Sequence, residues 1–304
     1  MNQPVLAYLG LGLMGYPMTQ RLLAAGYAVH VWNRSKEKLA PALAQGAIAA
    51  QNVRAAVEQA DIVLMCLFDA KAVEAVVFGP DGIAAAPGVG KVLVDHASIR
   101  PDKTREFATR LRQANGMEWI DAPVSGGVKG AADGTLAIMC GGDAAAFERA
   151  RPVMANYAAN INRMGPSGAG QVTKLCNQVI VGSNLAVLAE AIRLAQNAGV
   201  DARLLPTALA GGFADSKPLQ IFVPRMIDRP VESIGAANTM LKDLDTALDL
   251  GRETGTPLPV SGLAAQLLRT LAAQGKGEEE LSAIFDLYGK AGQGGKGGHG
   301  GHGG

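Results

Sequence analysis

The stretch Val5-Leu-Ala-Tyr-Leu-Gly10-Leu11-Gly12-Leu13-Met14-Gly15 decides how the first half of the chain is read. A short apolar run ends at the first of three glycines spaced G-x-G-x-x-G, and a helical pattern begins near Gly15. In such a strand–turn–helix setting, Gly10 allows the tight turn and Gly12 lets backbone approach a pyrophosphate. Gly15 lets the helix pack on the strand, so the phosphates sit at the helix N-terminus. Gly10, Leu11, Gly12, Leu13, Met14 and Gly15 are therefore the expected dinucleotide cradle.

Outward from this turn, runs rich in valine, isoleucine and leucine recur at Ala28–Trp32, Ile62–Leu67, Lys91–Val94, Trp119–Ala122, Leu136–Cys140 and Ile161–Met164. Helical patterns lie between the early ones, at Gly15–Ala25, Lys36–Gln45 and Asn52–Gln59. Apolar runs without alternation are what strands covered on both faces look like. They predict an α/β fold whose N-terminal part is a Rossmann-type, doubly wound, mostly parallel sheet. From Gly168 strand signals vanish and helical periods continue to about Tyr288, which predicts a C-terminal all-α domain. Its first helix, from about Ala169 to Ala198, should be on the order of 45 Å long. With Gly165-Pro-Ser-Gly-Ala-Gly as the boundary, residues 1–165 form the dinucleotide-binding domain and 166–290 the helical domain for substrate and oligomerisation. Residues 291–304 read as a disordered glycine- and histidine-rich tail.

Composition narrows the function. The 304 residues carry a net charge of +1 with both signs interspersed, so neither nucleic acid nor a membrane is an expected partner. Cys66, Cys140 and Cys176 each sit in apolar sequence and read as buried free thiols in a reducing compartment. Met1 runs almost directly into a strand with no basic leader, so the expected location is the cytoplasm.

The end of the second strand selects the cofactor. An acidic side chain there would bond a ribose diol and repel a 2′-phosphate, but this chain has Asn33-Arg34-Ser35. Neutral Asn33 removes the repulsion, Arg34 can pair with a phosphate and Ser35 adds a hydroxyl, which favours NADP(H) over NAD(H). Ligands lie beyond the carboxyl ends of parallel strands, so Leu67 and Ser98 are further expected cofactor contacts. For His96, two residues before Ser98, a surface or packing role is expected rather than contact with cofactor or substrate.

The chemistry is sought in Gly168-Ala-Gly-Gln-Val-Thr-Lys174-Leu-Cys-Asn177-Gln178, a glycine turn that opens a long apolar helix. Lys174, Asn177 and Gln178 are three and four positions apart and share one face. A cationic donor beside two amides is costly to bury unless something polar docks there. Other dehydrogenase chemistries lack their residues. Outside the tail the histidines are His30 and His96, both in the nucleotide half; no tyrosine precedes a lysine at Tyr-x-x-x-Lys spacing; and no Cys/His cluster could hold a metal. A lysine remains. Asp121-Ala-Pro-Val-Ser125-Gly126-Gly127-Val-Lys129-Gly130 offers a complementary half-site, a hydroxyl followed by glycines whose N–H groups form a nest for a carboxylate.

These motifs, with Lys242-Asp243-Leu244, make the chain resemble the β-hydroxyacid dehydrogenase family over almost its whole length. That family includes 3-hydroxyisobutyrate dehydrogenases, tartronate semialdehyde (2-hydroxy-3-oxopropionate) reductases and glyoxylate/succinic semialdehyde reductases. The resemblance implies that Lys174 is the catalytic lysine and that Ser125, Gly126 and Gly127 hold the substrate carboxylate. It further implies that Lys242 reaches the cofactor and that Asn177 or Gln178 orients substrate. Relatives often carry asparagine four residues after the lysine, where this chain has Gln178. Lys174-Leu-Cys-Asn-Gln-Val-Ile-Val and Gly211-Gly212-Phe213 look closest to the tartronate semialdehyde reductases.

The expected activity is NADP-dependent reduction of a small carboxylate-bearing aldehyde to the hydroxy acid, with lysine as general acid and base. Glyoxylate or succinic semialdehyde reduction, 3-hydroxyisobutyrate oxidation and imine reduction are the enzymatic alternatives. A non-catalytic NADP-binding scaffold is the alternative from another class. A homodimer or homotetramer built through the helical half is expected.

Overall fold

The computed structural model describes residues 3–229 and 233–289, so the tail at 291–304 lies outside the described residues. The chain folds as two compact units divided between Leu175 and Cys176. In the first, β1 (Leu6–Leu9), β2 (Val29–Trp32), β3 (Ile48–Ala49), β4 (Ile62–Met65), β5 (Val92–Asp95) and β6 (Glu118–Asp121) run parallel in the order β3-β2-β1-β4-β5-β6. The sheet continues through β8 (Leu136–Gly141), antiparallel to β6 and to the short β7 (Val124–Ser125). β9 (Ala158–Gly165) pairs parallel with β8. The connections carry α1 (Gly15–Ala24), α2 (Ala40–Leu43), α3 (Val53–Glu58), α4 (Ala70–Phe78), α5 (Pro101–Asn115), α6 (Gly127–Asp133) and α7 (Ala144–Met154).

Strand alternation explains the unbroken apolar runs. Leu6, Tyr8, Ile62, Leu64, Val92 and Val94 enter one hydrophobic cluster, while Ala7, Leu9, Val63, Met65 and Leu93 enter a second. Successive side chains point to opposite faces, so both faces of the sheet are covered and neither set can be polar. Each expected strand is present within a few residues of its predicted limits. The two-residue strands β3 and β7 are additions, too short to leave a periodic signal. The helix expected at Lys36–Gln45 is instead a 3-10 turn, Lys36–Leu39, followed by α2. Pro41 lacks the N–H that a continuous helix would donate to Glu37.

The second unit has no strand among its described residues. α8 (Ala169–Asn197) begins in the first unit and continues into the second, followed by α9 (Leu205–Ala208), α10 (Lys217–Asp228), α11 (Ala237–Thr254) and α12 (Pro259–Leu271). α8 is long and apolar enough to cross a membrane by length and composition alone. Its Leu185, Leu188, Ala189 and Ile192 are buried in this unit's core with Phe222, Leu244 and Leu268.

His96 follows β5 and is 4% exposed. Its Nδ1 lies 2.7 Å from the Ala122 carbonyl oxygen and its Nε2 2.9 Å from the Tyr157 hydroxyl, with the two rings edge to face. Burial pulls its pKa down from 6.5 to about 4, against the Ala122 bond. The native ring is therefore neutral: Nδ1–H donates to Ala122 and Nε2 accepts from Tyr157. This packing role joins the ends of β5 and β6 to the residue before β9. A neutral ring contributes its full stability above pH 6.5 and loses it as pH falls towards 4. Wild type should exceed His96→Gln in stability at pH 7, and that advantage should shrink by about 2 kcal/mol at pH 5. Urea unfolding of both proteins at the two pH values reads the difference. An advantage independent of pH contradicts the neutral ring.

Candidate active site

The glycine turn has the shape its spacing predicts. Gly10 adopts φ +97°, and a Cβ there would lie 2.5 Å from the Cys66 carbonyl oxygen. A Cβ at Gly15 would lie 2.0 Å from the Gly10 carbonyl oxygen, so α1 can start this close only from glycine. Gly12 faces open space. Helices α3, α4 and α7 are capped by the side chains of Asn52, Asp69 and Asp143, whereas α1 has no side-chain cap. An uncapped helix start above an open glycine fits a pyrophosphate. Leu11 is buried in the core and Met14 half-buried, while Leu13 is 82% exposed.

Asn33 braces this turn. Its Oδ1 accepts from the Leu11 N–H at 2.9 Å and its Nδ2 donates to the Ser35 carbonyl oxygen at 2.8 Å. An aspartate could make only the first bond, so the neutral amide is structural as well as permissive towards a phosphate. Arg34 is exposed, and half-buried Ser35 starts the 3-10 turn without capping it. Leu67 is half-buried, with its Cδ2 2.9 Å from where a Gly10 Cβ would lie, so it supports the turn from behind. Ser98 is half-buried between buried Ala97 and Ile99.

The half-site after β6 folds as a reversal. Val124 and Ser125 pair with Ile138 and Ala137, then Gly126 and Gly127 take φ +130° and +64° into α6, which has no side-chain cap. Ser125 is half-buried, and Lys129 pairs with Asp133 at 2.7 Å.

Two residues that the sequence reading left without a role join these pieces to the lysine helix. Asp121, fully buried at the end of β6, accepts from the Gly168 N–H at 2.8 Å and the Gln171 N–H at 3.0 Å. Burial raises its pKa even against these bonds and one from Gly170. A Cβ at Gly170 would lie 2.4 Å from the Met139 carbonyl oxygen, so the helix start lies directly on the strand ends. The side chain of Gln171 bonds the backbone of Ala97 and Ile99. Lys174, half-buried, follows on the next turn. Asp95 lies beside Asp121 in the sheet register, with Oδ1 accepting from the Ala97 N–H. Burial holds the Asp95 carboxyl well above its ordinary value, and the Asp121 charge adds to this.

In the second unit, Gln178 is 7% exposed and its Nε2 donates to Asp243 Oδ2 at 2.7 Å. Its Oε1 accepts from Asn177 Nδ2 at 2.8 Å. Lys242 Nζ lies 3.3 Å from Asp243 Oδ1 on α11. Cys176, expected to be buried, is instead exposed on α8, while Cys140 is buried and Cys66 half-buried. Burial pushes the Cys66 and Cys140 thiols up to about 12, so neither is a nucleophile at neutral pH.

Known protein families match both halves of the chain. Residues 5–165 match the family described as the NAD binding domain of 6-phosphogluconate dehydrogenase. Residues 168–288 match the NAD-binding family of NADP-dependent 3-hydroxyisobutyrate dehydrogenase. The chain is 38% identical to 2-hydroxy-3-oxopropionate reductase of Escherichia coli, over 92% of this chain and 95% of that protein. It is 36% identical to 3-hydroxyisobutyrate dehydrogenase of Pseudomonas aeruginosa, over 93% and 98%. Among solved structures, the 3-hydroxyisobutyrate dehydrogenase of Mycobacterium tuberculosis with L-serine superposes with a TM-score of 0.85 at 31% identity, covering 95% of this chain and 100% of that one. The chain therefore belongs to the 3-hydroxyisobutyrate dehydrogenase family of NAD(P)-dependent oxidoreductases acting on hydroxy acids and their semialdehydes.

Proposed function

We propose that this protein reduces a small carboxylate-bearing aldehyde of the tartronate semialdehyde type with NADPH, and that Lys174 is its general acid. The observation that carries the proposal is the junction at Asp121. One buried carboxylate fixes the start of the lysine helix on the strand whose continuation is the Ser125-Gly126-Gly127 turn. A substrate held by its carboxylate at that turn would present its carbonyl at a set distance. A nicotinamide cofactor, bound at the strand ends, would supply the hydride for reduction.

The remaining steps belong to the chain. Ser125 and the N–H groups of Gly126 and Gly127 bind the carboxylate. Lys174 Nζ donates a hydrogen bond to the carbonyl oxygen and then its proton as that oxygen becomes a hydroxyl; in the oxidative direction neutral lysine takes the proton back. Gln178 engages both ends of its amide with Asp243 and Asn177. The substrate-orienting role therefore falls to Asn177, with Gln178 as its brace. Lys242, salt-bridged to Asp243, serves the cofactor. Leu67 and Ser98 would border a bound nicotinamide, and Arg34 with Ser35 would receive the 2′-phosphate. Exposed Ile180, Val187 and Leu194 recur every seven residues on one side of α8, which supports assembly into a homo-oligomer.

Lys174→Ala should lower kcat for tartronate semialdehyde by about 10²–10⁴-fold while leaving the NADPH dissociation constant within a few-fold. Steady-state rates and fluorescence titration measure both, and near-normal turnover would remove the lysine from the chemistry. Arg34→Ala should reduce kcat/KM for NADPH by about 10–100-fold, the loss of one charge-assisted bond, and spare NADH. Equal effects on both nucleotides would contradict the phosphate role. Glyoxylate, succinic semialdehyde, methylmalonate semialdehyde and a cyclic imine, assayed beside tartronate semialdehyde, rank the substrate classes. A faster rate with any of them overturns the tartronate assignment.

A further inference from the structure

Gln171 is 1% exposed, and its amide is engaged from both ends. Oε1 accepts from the Ile99 N–H at 3.2 Å, and Nε2 donates to the Ala97 carbonyl oxygen at 2.8 Å. These two bonds bracket Ser98 on either side. The backbone N–H of Gln171 donates to Asp121 Oδ2 at 3.0 Å. One residue therefore meets the segment after β5 through its side chain and the end of β6 through its main chain. Lys174 lies three positions further along α8, on the same side of the helix.

The bonding pattern is specific to glutamine. A glutamate of the same shape would keep the bond from Ile99 but set a carboxylate oxygen against the Ala97 carbonyl. A methionine of similar length would fill the space and leave the Ile99 N–H and the Ala97 oxygen without that partner. Since Ala97 and Ile99 are themselves buried, water does not readily replace the lost partner.

We infer that Gln171 is a positioning residue that locks the helix bearing Lys174 to the Ala97–Ile99 segment, so that proton donor and cofactor-side strand end keep one fixed spacing. This rests on the reading of Lys174 as proton donor. The inference assigns Gln171 no contact with substrate. Its effect is geometric, and misplacement of reacting groups by about 1 Å can cost on the order of 10²-fold in rate.

The test compares wild type with Gln171→Met and Gln171→Glu. Hydrogen exchange at the Ile99 amide, read in the protein without nucleotide, should accelerate about tenfold or more in Gln171→Met, while amides in α3 and α11 stay unchanged. With tartronate semialdehyde and NADPH, kcat should fall about 10–100-fold with KM and nucleotide affinity within about threefold. The isotope effect from NADPH deuterated at the transferred position should rise as the chemical step becomes limiting. A residue with only a stabilising role would lower the melting temperature and leave kcat and the isotope effect of the folded protein unchanged; that result overturns the inference. If Gln171→Met does not fold, Gln171→Glu, which keeps the Ile99 bond but loses the one to Ala97, carries the kcat and isotope-effect readouts. Should wild type reduce none of the aldehydes, the functional reading fails and exchange alone decides the clamp. Faster Ile99 exchange upholds it, and unchanged exchange overturns it.

Discussion

The first unit is organised around one buried anion. Asp121 ends β6, is closed off from solvent, and takes on its two oxygens the N–H groups of Gly168, just before α8, and of Gln171 in its first turn. A helix start left bare in the interior would be costly, as would an isolated carboxylate. Each compensates the other, since the positive end of the helix dipole meets a carboxyl group at hydrogen-bond distance. The consequence reaches beyond stability. The strand that supplies Asp121 goes on to form the Ser125-Gly126-Gly127 turn, and the helix it holds carries Lys174 one turn later. The Ser125-Gly126-Gly127 turn and Lys174, proposed above to bind carboxylate and donate the proton, are thereby set on a common fixed point.

Around this point the polar interior is dense, and three of its groups have a local reason. Asp95 lies beside Asp121 in the sheet, and its pKa is raised so that two adjacent buried carboxyls need not both be charged. Its Oδ2 lacks a protein partner, a further reason for this carboxyl to resist ionisation. His96 is kept neutral between Ala122 and Tyr157. Asn33 ties the glycine turn to the end of β2. Each of these side chains bonds the backbone of a strand end. The loops at the carboxyl edge of the sheet are thus held by buried side chains, and a site built on them inherits that order.

Much of this was legible in sequence, for identifiable reasons. Doubly covered strands need apolar residues on both faces, so β1, β4 and β5 announce themselves as unbroken runs, and the glycine spacing at Gly10–Gly15 encodes a turn whose clearances are now explicit. The parts that were not legible depend on partners far away in the chain. Asp121 and Gln171 stand in the quoted motifs, but bonds spanning 47 and 72 residues leave no local period. Strands β3 and β7 are too short to show alternation, and Pro41 split a helix that hydrophobic pattern alone would continue. The exposure of Cys176 was missed because an apolar neighbourhood in sequence does not say which side of α8 faces solvent. The one available signal for Gln171 was its place three residues before Lys174, a polar residue on the same side of an apolar helix.

In the proposed mechanism the substrate carboxylate is the handle by which the reacting carbonyl is placed. The direct measurement is kcat/KM of the purified protein with NADPH for tartronate semialdehyde against glyceraldehyde, which has a hydroxymethyl group in place of the carboxylate and is otherwise the same aldehyde. A preference of at least about 10²-fold for the acid, from loss of charged hydrogen bonds at the turn, is the predicted result. Equal turnover of the two would mean that the Ser125-Gly126-Gly127 turn holds no carboxylate, and the mechanism built on it would fall.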